Sequence, residues 1–387
     1  MKEKICIIGQ SGGPTAVINA SLYYLVKEAK NAGFNKIYGM FYGIEGLLQE
    51  KIIRLDFLLD CGKLDKIVNR PSSFLGSCRF KLNSFKDKSK LICILEKLYI
   101  TDMFYIGGND SMDTILQLSL CAREFGSKIN FIGIPKTIDN DLIGTYYCPG
   151  YLSACKYILT SLEEIYLDSN VYDDKSVTIV ELMGRDTGWL AASASLLNTA
   201  EQKKVDLIYL PEIAFDLKYF IANIKKLLKH KKHLLVVVSE GIKDEFGNLY
   251  SLPQNECEDS FGHNTNTGCG NVLRKYIQKE LSIKAKSIEL GILQRSAGHI
   301  QSEVDIINTQ KFAHKAIELS LDNESGVFVG SYIDDNSQLK LNKVDISLVA
   351  NKTKKVPTDW IDSKNGQISE DYIKYINKIF TYKRLYD

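Results

Sequence analysis

The chain has 387 residues, 45% hydrophobic and 25% charged, which suits about two domains at roughly 150 residues each and excludes a disordered or fibrous protein. Lys plus Arg is 49 against 47 for Asp plus Glu, a net charge of +2. No global field is present to recruit nucleic acid or a membrane surface, so any anionic ligand must be met locally.

Apolar runs recur at 5–8, 37–41, 103–106, 129–134, 177–182, 205–210 and 234–238, with amphipathic stretches between many of them. That order predicts βαβ units with buried parallel strands, an α/β fold. One helix is predicted from Pro14 or Thr15 to near Gly33, with Pro early and Gly just past the end. A second is predicted from near Ser111 to before Gly126. The basic stretch 225–233 reads as cations facing a helix C-terminus before the strand at 234–238. Neither a low-complexity linker nor a repeat of about 20 to 50 residues marks a boundary; a domain switch is expected near Gly150, with a return after Arg295.

Nine cysteines (Cys6, Cys61, Cys78, Cys93, Cys121, Cys148, Cys155, Cys257 and Cys269) form no CxxC pair, as expected for thiols in a reducing compartment. The four-residue apolar run before Gly9 is too short for a signal peptide, and no run approaches the roughly 18 residues of a membrane helix. A cytoplasmic protein with no membrane partner is expected.

Ligands of α/β proteins bind beyond the carboxyl ends of strands, so the turns after strands are where chemistry is expected. The first, Gly9-Gln10-Ser11-Gly12-Gly13-Pro14-Thr15, lies between a strand and a helix. It reads as a tight turn or as a phosphate cradle of backbone amides at a helix N-terminus. It matches neither GxGxxG nor the P-loop, which disfavours a dinucleotide oxidoreductase and an ordinary NTPase. The second, Gly107-Gly108-Asn109-Asp110-Ser111, is either a helix start capped by Asp110 or Ser111 or a phosphate-facing turn with an oxygen donor for a cation such as Mg²⁺. The third, Pro135-Lys136-Thr137-Ile138-Asp139-Asn140-Asp141, puts a base, a cation and a hydroxyl at one strand end. Phosphoryl transfer needs that inventory, although an Asx-rich turn would share the composition.

These turns, together with Phe74-Leu75-Gly76-Ser77-Cys78-Arg79, Met183-Gly184-Arg185, Ser239-Glu240-Gly241, Leu293-Gln294-Arg295 and the ending Val356-Pro357-Thr358-Asp359-Trp360-Ile361, resemble the 6-phosphofructokinases in order along nearly the whole chain. They look most like the pyrophosphate-dependent branch. The resemblance implies two Rossmann-like three-layer α/β domains with the active site in the cleft between them. Residues 1–150 plus about 296–345 would bind pyrophosphate and Mg²⁺, and residues 151–295 plus about 346–387 the sugar phosphate. It also implies reversible transfer from diphosphate to the 1-hydroxyl of fructose 6-phosphate, in glycolysis or its reverse, by a homo-oligomer, dimer or tetramer.

Carried over position by position, Asp139 is the general base, supported by Thr137 and Asp141. Arg79 stabilises the moving phosphoryl group, and Gly12 and Gly108 hold the diphosphate. Ile138, Met183, Gly184, Arg185, Glu240, Lys286, Ile292, Leu293, Gln294 and Arg295 fall in the sugar-phosphate set, and Asn109 and Asp110 at the metal position. The ATP-using branch has glycine at the positions of Asp110 and Lys136. A carboxylate at Asp110 would repel an α-phosphate, and Lys136 would offer a charge to the leaving phosphate. The pattern departs from the family at Asn109, where relatives carry Asp, and at Ile292, where they carry His or Tyr. It departs again at Ser176 or Lys175, where they reach an arginine across a subunit interface, and at Tyr146-Tyr147-Cys148. An ATP-dependent enzyme and a weakly active or regulatory sugar-phosphate-binding paralogue are the alternatives.

Overall fold

The structure, a computed structural model, describes residues 3–250 and 268–386; Cys257 lies outside them. Its main strands are β1 (Ile5–Gln10), β2 (Lys36–Met40), β3 (Ile52–Arg54), β4 (Asp102–Gly107), β5 (Asn130–Pro135), β6 (Ser176–Leu182), β7 (Leu207–Tyr209), β8 (His233–Ser239), β9 (Lys284–Glu289), β10 (Val327–Ile333) and β11 (Leu339–Asp345). All seven apolar runs are strands. The run at 205–210 shortens to a three-residue strand; before it, the Asp206 carboxylate is taken by Lys231 and by the Leu235 amide.

Two compact units share these strands. The first comprises Met1–Ile138, Leu142–Ser153 and Arg295–Thr353; the second comprises Asp139–Asp141, Ala154–Gln294 and Lys354–Asp387. The first contains a seven-stranded sheet in the order β11-β10-β5-β4-β1-β2-β3. Its five inner strands are parallel and its two edge strands antiparallel. The order reverses at β1, whose neighbours are β2 and β4, so the turns after β1 and β4 lie at a topological switch point. β1 and β4 are buried at every position, and Ile7, Met103, Phe131, Leu118 and Phe328 are among the fully buried side chains of this unit's core.

The second unit contains the all-parallel sheet β7-β8-β6-β9, which reverses at β6. Val177, Ile179, Val236, Val238, Phe220 and Leu273 fill its core. Strands β9 and β11 escape the apolar pattern because they are edges: KAKSIE and LKLNKVD are charged and only partly buried. The basic stretch does follow a helix, Leu217–Leu227, with Lys225 and Lys226 in its last turn. Among the described residues no helix is long and apolar enough to cross a membrane, and eight cysteines are free thiols.

The first predicted helix starts later than expected, and the second runs as expected from near Ser111 to before Gly126. The first spans Ile18–Asn31, because the Ala16 carbonyl is taken by Gln301 Nε2 and Thr15 packs on Gly150. The second spans Asn109–Glu124 with Gly108 as N-cap and no capping side chain.

Candidate active site

In the first unit, the turn after β1 carries Gly12 at φ +74°, a left-handed conformation that favours glycine. A Cβ there would stand 3.2 Å from Lys136 Nζ, and one at Gly13 2.9 Å from Arg295 Nη1. Two cations therefore lie against the backbone of this turn. Lys136 is only 2% exposed, and its ammonium donates to the Gly13 carbonyl at 2.6 Å. Its own amide donates to the Gly107 carbonyl at 3.0 Å, which ties the turns after β1, β4 and β5 together.

Gln10 and Asn19, which sequence reasoning passed over, hold the neighbouring loop. The Gln10 side chain donates to Asn19 Oδ1 and to the Ile18 carbonyl, and it accepts from Ser73 Oγ and the Leu75 amide. Asn19 Oδ1 accepts from the Phe74 amide at 2.8 Å, and Ser77 Oγ donates to the Gly12 carbonyl at 2.7 Å. Arg79, exposed at the end of this loop, is thereby anchored to the glycine turn. Both side chains are buried and engaged in these bonds, a state that the sequence around them does not mark.

The turn after β4 is a helix start without a side-chain cap. Asp110 lies in the exposed first turn. Ser111 is 2% exposed and folds back onto Gly107, where a Cβ would meet its Oγ at 1.9 Å. Neither Asp110 nor Ser111 caps the helix, which corrects that alternative.

The second unit takes over at Asp139. Asn140 is fully buried at φ +52°; its amide donates to the Tyr375 hydroxyl at 3.0 Å and its oxygen accepts from Lys354 Nζ at 3.3 Å. The Asp139 carbonyl accepts from Thr187 Oγ1 at 3.3 Å, and the Asp141 carbonyl from the Lys354 amide at 2.7 Å. With their carbonyls and the intervening residue held this way, the half-buried carboxylates of Asp139 and Asp141 are presented by a fixed backbone.

The turn after β6 joins the same set. The Met183 amide donates to Gln294 Oε1 at 3.0 Å, and the Gly184 amide to Glu240 Oε1 at 3.3 Å. Ser239 Oγ donates to the Gly184 carbonyl. Gly241 permits the close approach, since a Cβ there would stand 1.8 Å from the Arg185 carbonyl. Arg185 pairs with Asp186 at 2.9 Å. Burial, and next the negative charge of Asp139, push the Glu240 carboxyl up to about 8. It therefore holds a proton at neutral pH.

Other members of the expected set lie apart. Ile138 is buried at 7% exposure, whereas Ile292 and Leu293 are exposed at 61% and 49%. Lys286 pairs in register with Thr178 on β6, five residues before Met183 and so roughly 16 Å from it at about 3.3 Å per residue. It lies 3.8 Å from Asp168 and lines a hollow with Ser176, Thr178 and Lys284. Lys175 donates to the Leu228 carbonyl, and Ser176 Oγ meets His233 Nδ1 at 2.9 Å. Tyr147 and Cys148 are fully buried, Tyr147 edge-on to Phe312, so apolar residues there serve the core.

Among the described residues no three His, Cys, Asp or Glu side chains assemble a metal cage. Asn109 and Asp110 offer oxygen donors alone, which suits a hard cation held by few protein groups and by the phosphates of a substrate.

In the first unit, glycine turns at a sheet switch point and a buried lysine against one of them define a doubly wound α/β fold of the kind that handles phosphate groups. The phosphofructokinase family model matches residues 4–320, and the chain belongs to that family. It is 36% identical to a pyrophosphate–fructose 6-phosphate 1-phosphotransferase of Xanthomonas campestris pv. campestris (strain B100), over 95% of this chain and 90% of the relative. An ATP-dependent 6-phosphofructokinase of Haemophilus ducreyi is 33% identical over 68% of this chain and 75% of its own. The crystal structure of a pyrophosphate-dependent phosphofructokinase from Nitrosospira multiformis superposes with a TM-score of 0.87 at 31% identity, covering 98% of this chain and 93% of that one.

Proposed function

We propose that the chain catalyses reversible phosphoryl transfer from diphosphate to the 1-hydroxyl of fructose 6-phosphate, as a cytoplasmic homo-oligomer of glycolysis or its reverse. Asp139 accepts the hydroxyl proton, with Thr137 and Asp141 in support. Gly12 and Gly108 receive the diphosphate through backbone amides, while Lys136 and Arg79 offset the charge that develops as phosphate leaves. Met183, Gly184, Arg185, Gln294, Arg295 and the protonated Glu240 hold the sugar phosphate. Mg²⁺ is the cation we assign to Asn109 and Asp110; when bound it neutralises phosphate charge.

One observation carries the choice of donor: Lys136 is buried with its ammonium on the Gly13 carbonyl, a fixed point charge at the phosphate turn, while Asp110 adds a carboxylate at the mouth of the neighbouring helix. That pairing suits a small symmetrical donor and opposes the α-phosphate of a nucleotide. Product formation from fructose 6-phosphate with pyrophosphate and with ATP tests the reading. Turnover with ATP alone would establish the ATP-dependent alternative, and sugar-phosphate binding without turnover the regulatory one.

The place of Lys286 supports the oligomer. It stands apart from Met183 within its own unit, so a lysine on the 6-phosphate is supplied by a second copy. Gel filtration with light scattering gives the assembly, and Lys286→Ala is expected to raise the KM for fructose 6-phosphate about tenfold, the loss of one charge-assisted hydrogen bond. The free cysteines fit a reducing compartment.

A further inference from the structure

Glu212 follows β7, away from every motif that carries the chemistry. Its Oε1 accepts two amides at once, from Gly188 at 2.8 Å and from Val356 at 3.0 Å. Its Oε2 is buried with no hydrogen-bond partner among the described residues. Gly188 must be glycine for this approach, since a Cβ would stand 2.9 Å from Oε2 and 2.7 Å from Leu210.

The two amides belong to the two segments that hold the carboxylate turn. Gly188 adjoins Thr187, whose hydroxyl donates to the Asp139 carbonyl, and Trp189, whose indole donates to the Lys354 carbonyl at 2.8 Å. Val356 lies two residues after Lys354, which holds the Asp141 carbonyl by its amide and the Asn140 side chain by its ammonium. All of these residues are in the second unit. One carboxylate oxygen thus joins both supports of Asp139-Asn140-Asp141, and without it two amide donors lose their acceptor.

We infer that Glu212 is a positioning residue for the general base: it acts through Thr187 and Lys354 to fix the height and direction of the Asp139 carboxylate. The sugar-binding backbone has its own anchors in Gln294, Glu240 and Ser239. Displacing the Glu212 oxygen should therefore lower kcat and leave the KM for fructose 6-phosphate nearly unchanged. A residue that only stabilised the fold would lower the melting temperature without that split.

The inference rests on the proposed reaction, and its test separates the two. Parental enzyme is assayed first with pyrophosphate, then Glu212→Ala, Glu212→Asp and Glu212→Gln. Glutamine keeps one acceptor oxygen at full reach and is expected to stay within about fivefold of parental kcat. Alanine and aspartate are expected to lose about 10- to 100-fold, the scale of a misplacement near 1 Å, with KM within about threefold. Parental kcat in Glu212→Ala, or in Glu212→Asp if alanine does not fold, overturns the role, as does a glutamine variant as poor as aspartate. A parent inactive with pyrophosphate refutes the reaction instead. Hydrogen exchange then judges Glu212 by itself: amides at 187–189, 354–356 and 139–141 should exchange faster in Glu212→Asp than in Glu212→Gln, and equal exchange would overturn the positioning role.

Discussion

The turn from Lys136 to Asp141 is held by different means at its two ends. At the lysine end the partners are backbone carbonyls of the glycine turns, Gly13 and Gly107. At the aspartate end they are side chains far along the chain: Thr187 reaches the Asp139 carbonyl across 48 residues, and Lys354 and Tyr375 reach Asn140 across 214 and 235. A cation can be seated by fixed peptide dipoles, which form wherever strands end side by side. A carboxylate that must collect a proton needs its backbone aimed, and aiming takes rigid groups from elsewhere in the unit.

The largest expected effect breaks the chemistry at the aspartate end and spares its supports. Because Thr187 binds the Asp139 carbonyl rather than its carboxylate, Asp139→Asn should keep the fold. Removal of a general base typically costs about 10²- to 10⁴-fold in rate. Turnover near the parental value at neutral pH, with an unchanged melting temperature, would assign the base elsewhere.

At the lysine end the expected loss is smaller and selective for the donor. Lys136→Gly removes one fixed charge, for which on the order of 10²- to 10³-fold in turnover with pyrophosphate is expected. Asp110→Gly should instead relieve a penalty against ATP. In the double variant the ratio of kcat/KM for ATP over pyrophosphate should rise further than in Lys136→Gly alone. An identical ratio in the parent, both single variants and the double variant would refute this division of roles.

The two ends also differed in how readable they were. Strand runs, glycine turns and the Lys136–Asp141 string are local, so the parallel α/β fold and the candidate residues at its strand ends stood in the sequence. Lys354, Tyr375, Gln10 and Glu212 did not, because nothing near them marks a polar side chain as aimed at a distant carbonyl. The same limit applied to the helix after Gly108: Asp110 and Ser111 are good capping residues, but Ser111 is drawn onto Gly107 by a close contact that composition does not encode. Family order groups Lys286 with the sugar phosphate, and its register beside Thr178 on β9 is a relation that only strand pairing reveals.

Asn140 separates support from chemistry. It adopts φ +52°, which costs most residues about 1 kcal/mol or more, and it bonds Tyr375 and Lys354. Asn140→Ala should destabilise the protein by about 1–3 kcal/mol, read by urea denaturation. Asn140→Gly, free of the backbone cost, should recover part of that loss. If glycine proved no better than alanine, the side-chain bonds rather than the left-handed backbone would account for the whole effect.

The smallest expected effect is a slope in the pH dependence of stability, and it tests how closely Asp139 is held to its neighbours. Burial, followed by the charge of Asp139, raises the Glu240 carboxyl from 4.5 to about 8. The folded protein therefore keeps a proton that the unfolded chain releases above about pH 4.5. By linkage, the stability associated with that proton is complete below the unfolded value and is lost as pH rises towards about 8. Glu240→Gln has no proton to lose, so between pH 5 and 9 its melting temperature should fall less than the parent's. Asp139→Asn removes one of the two causes of the shift, so its slope should lie between those of the parent and Glu240→Gln. Parallel curves for parent and Glu240→Gln would show that Glu240 ionises normally, and a parental slope in Asp139→Asn that the two carboxyl groups do not feel each other. Either outcome would loosen the link between the base and the sugar-binding backbone at Gly184, to whose amide Glu240 is bonded.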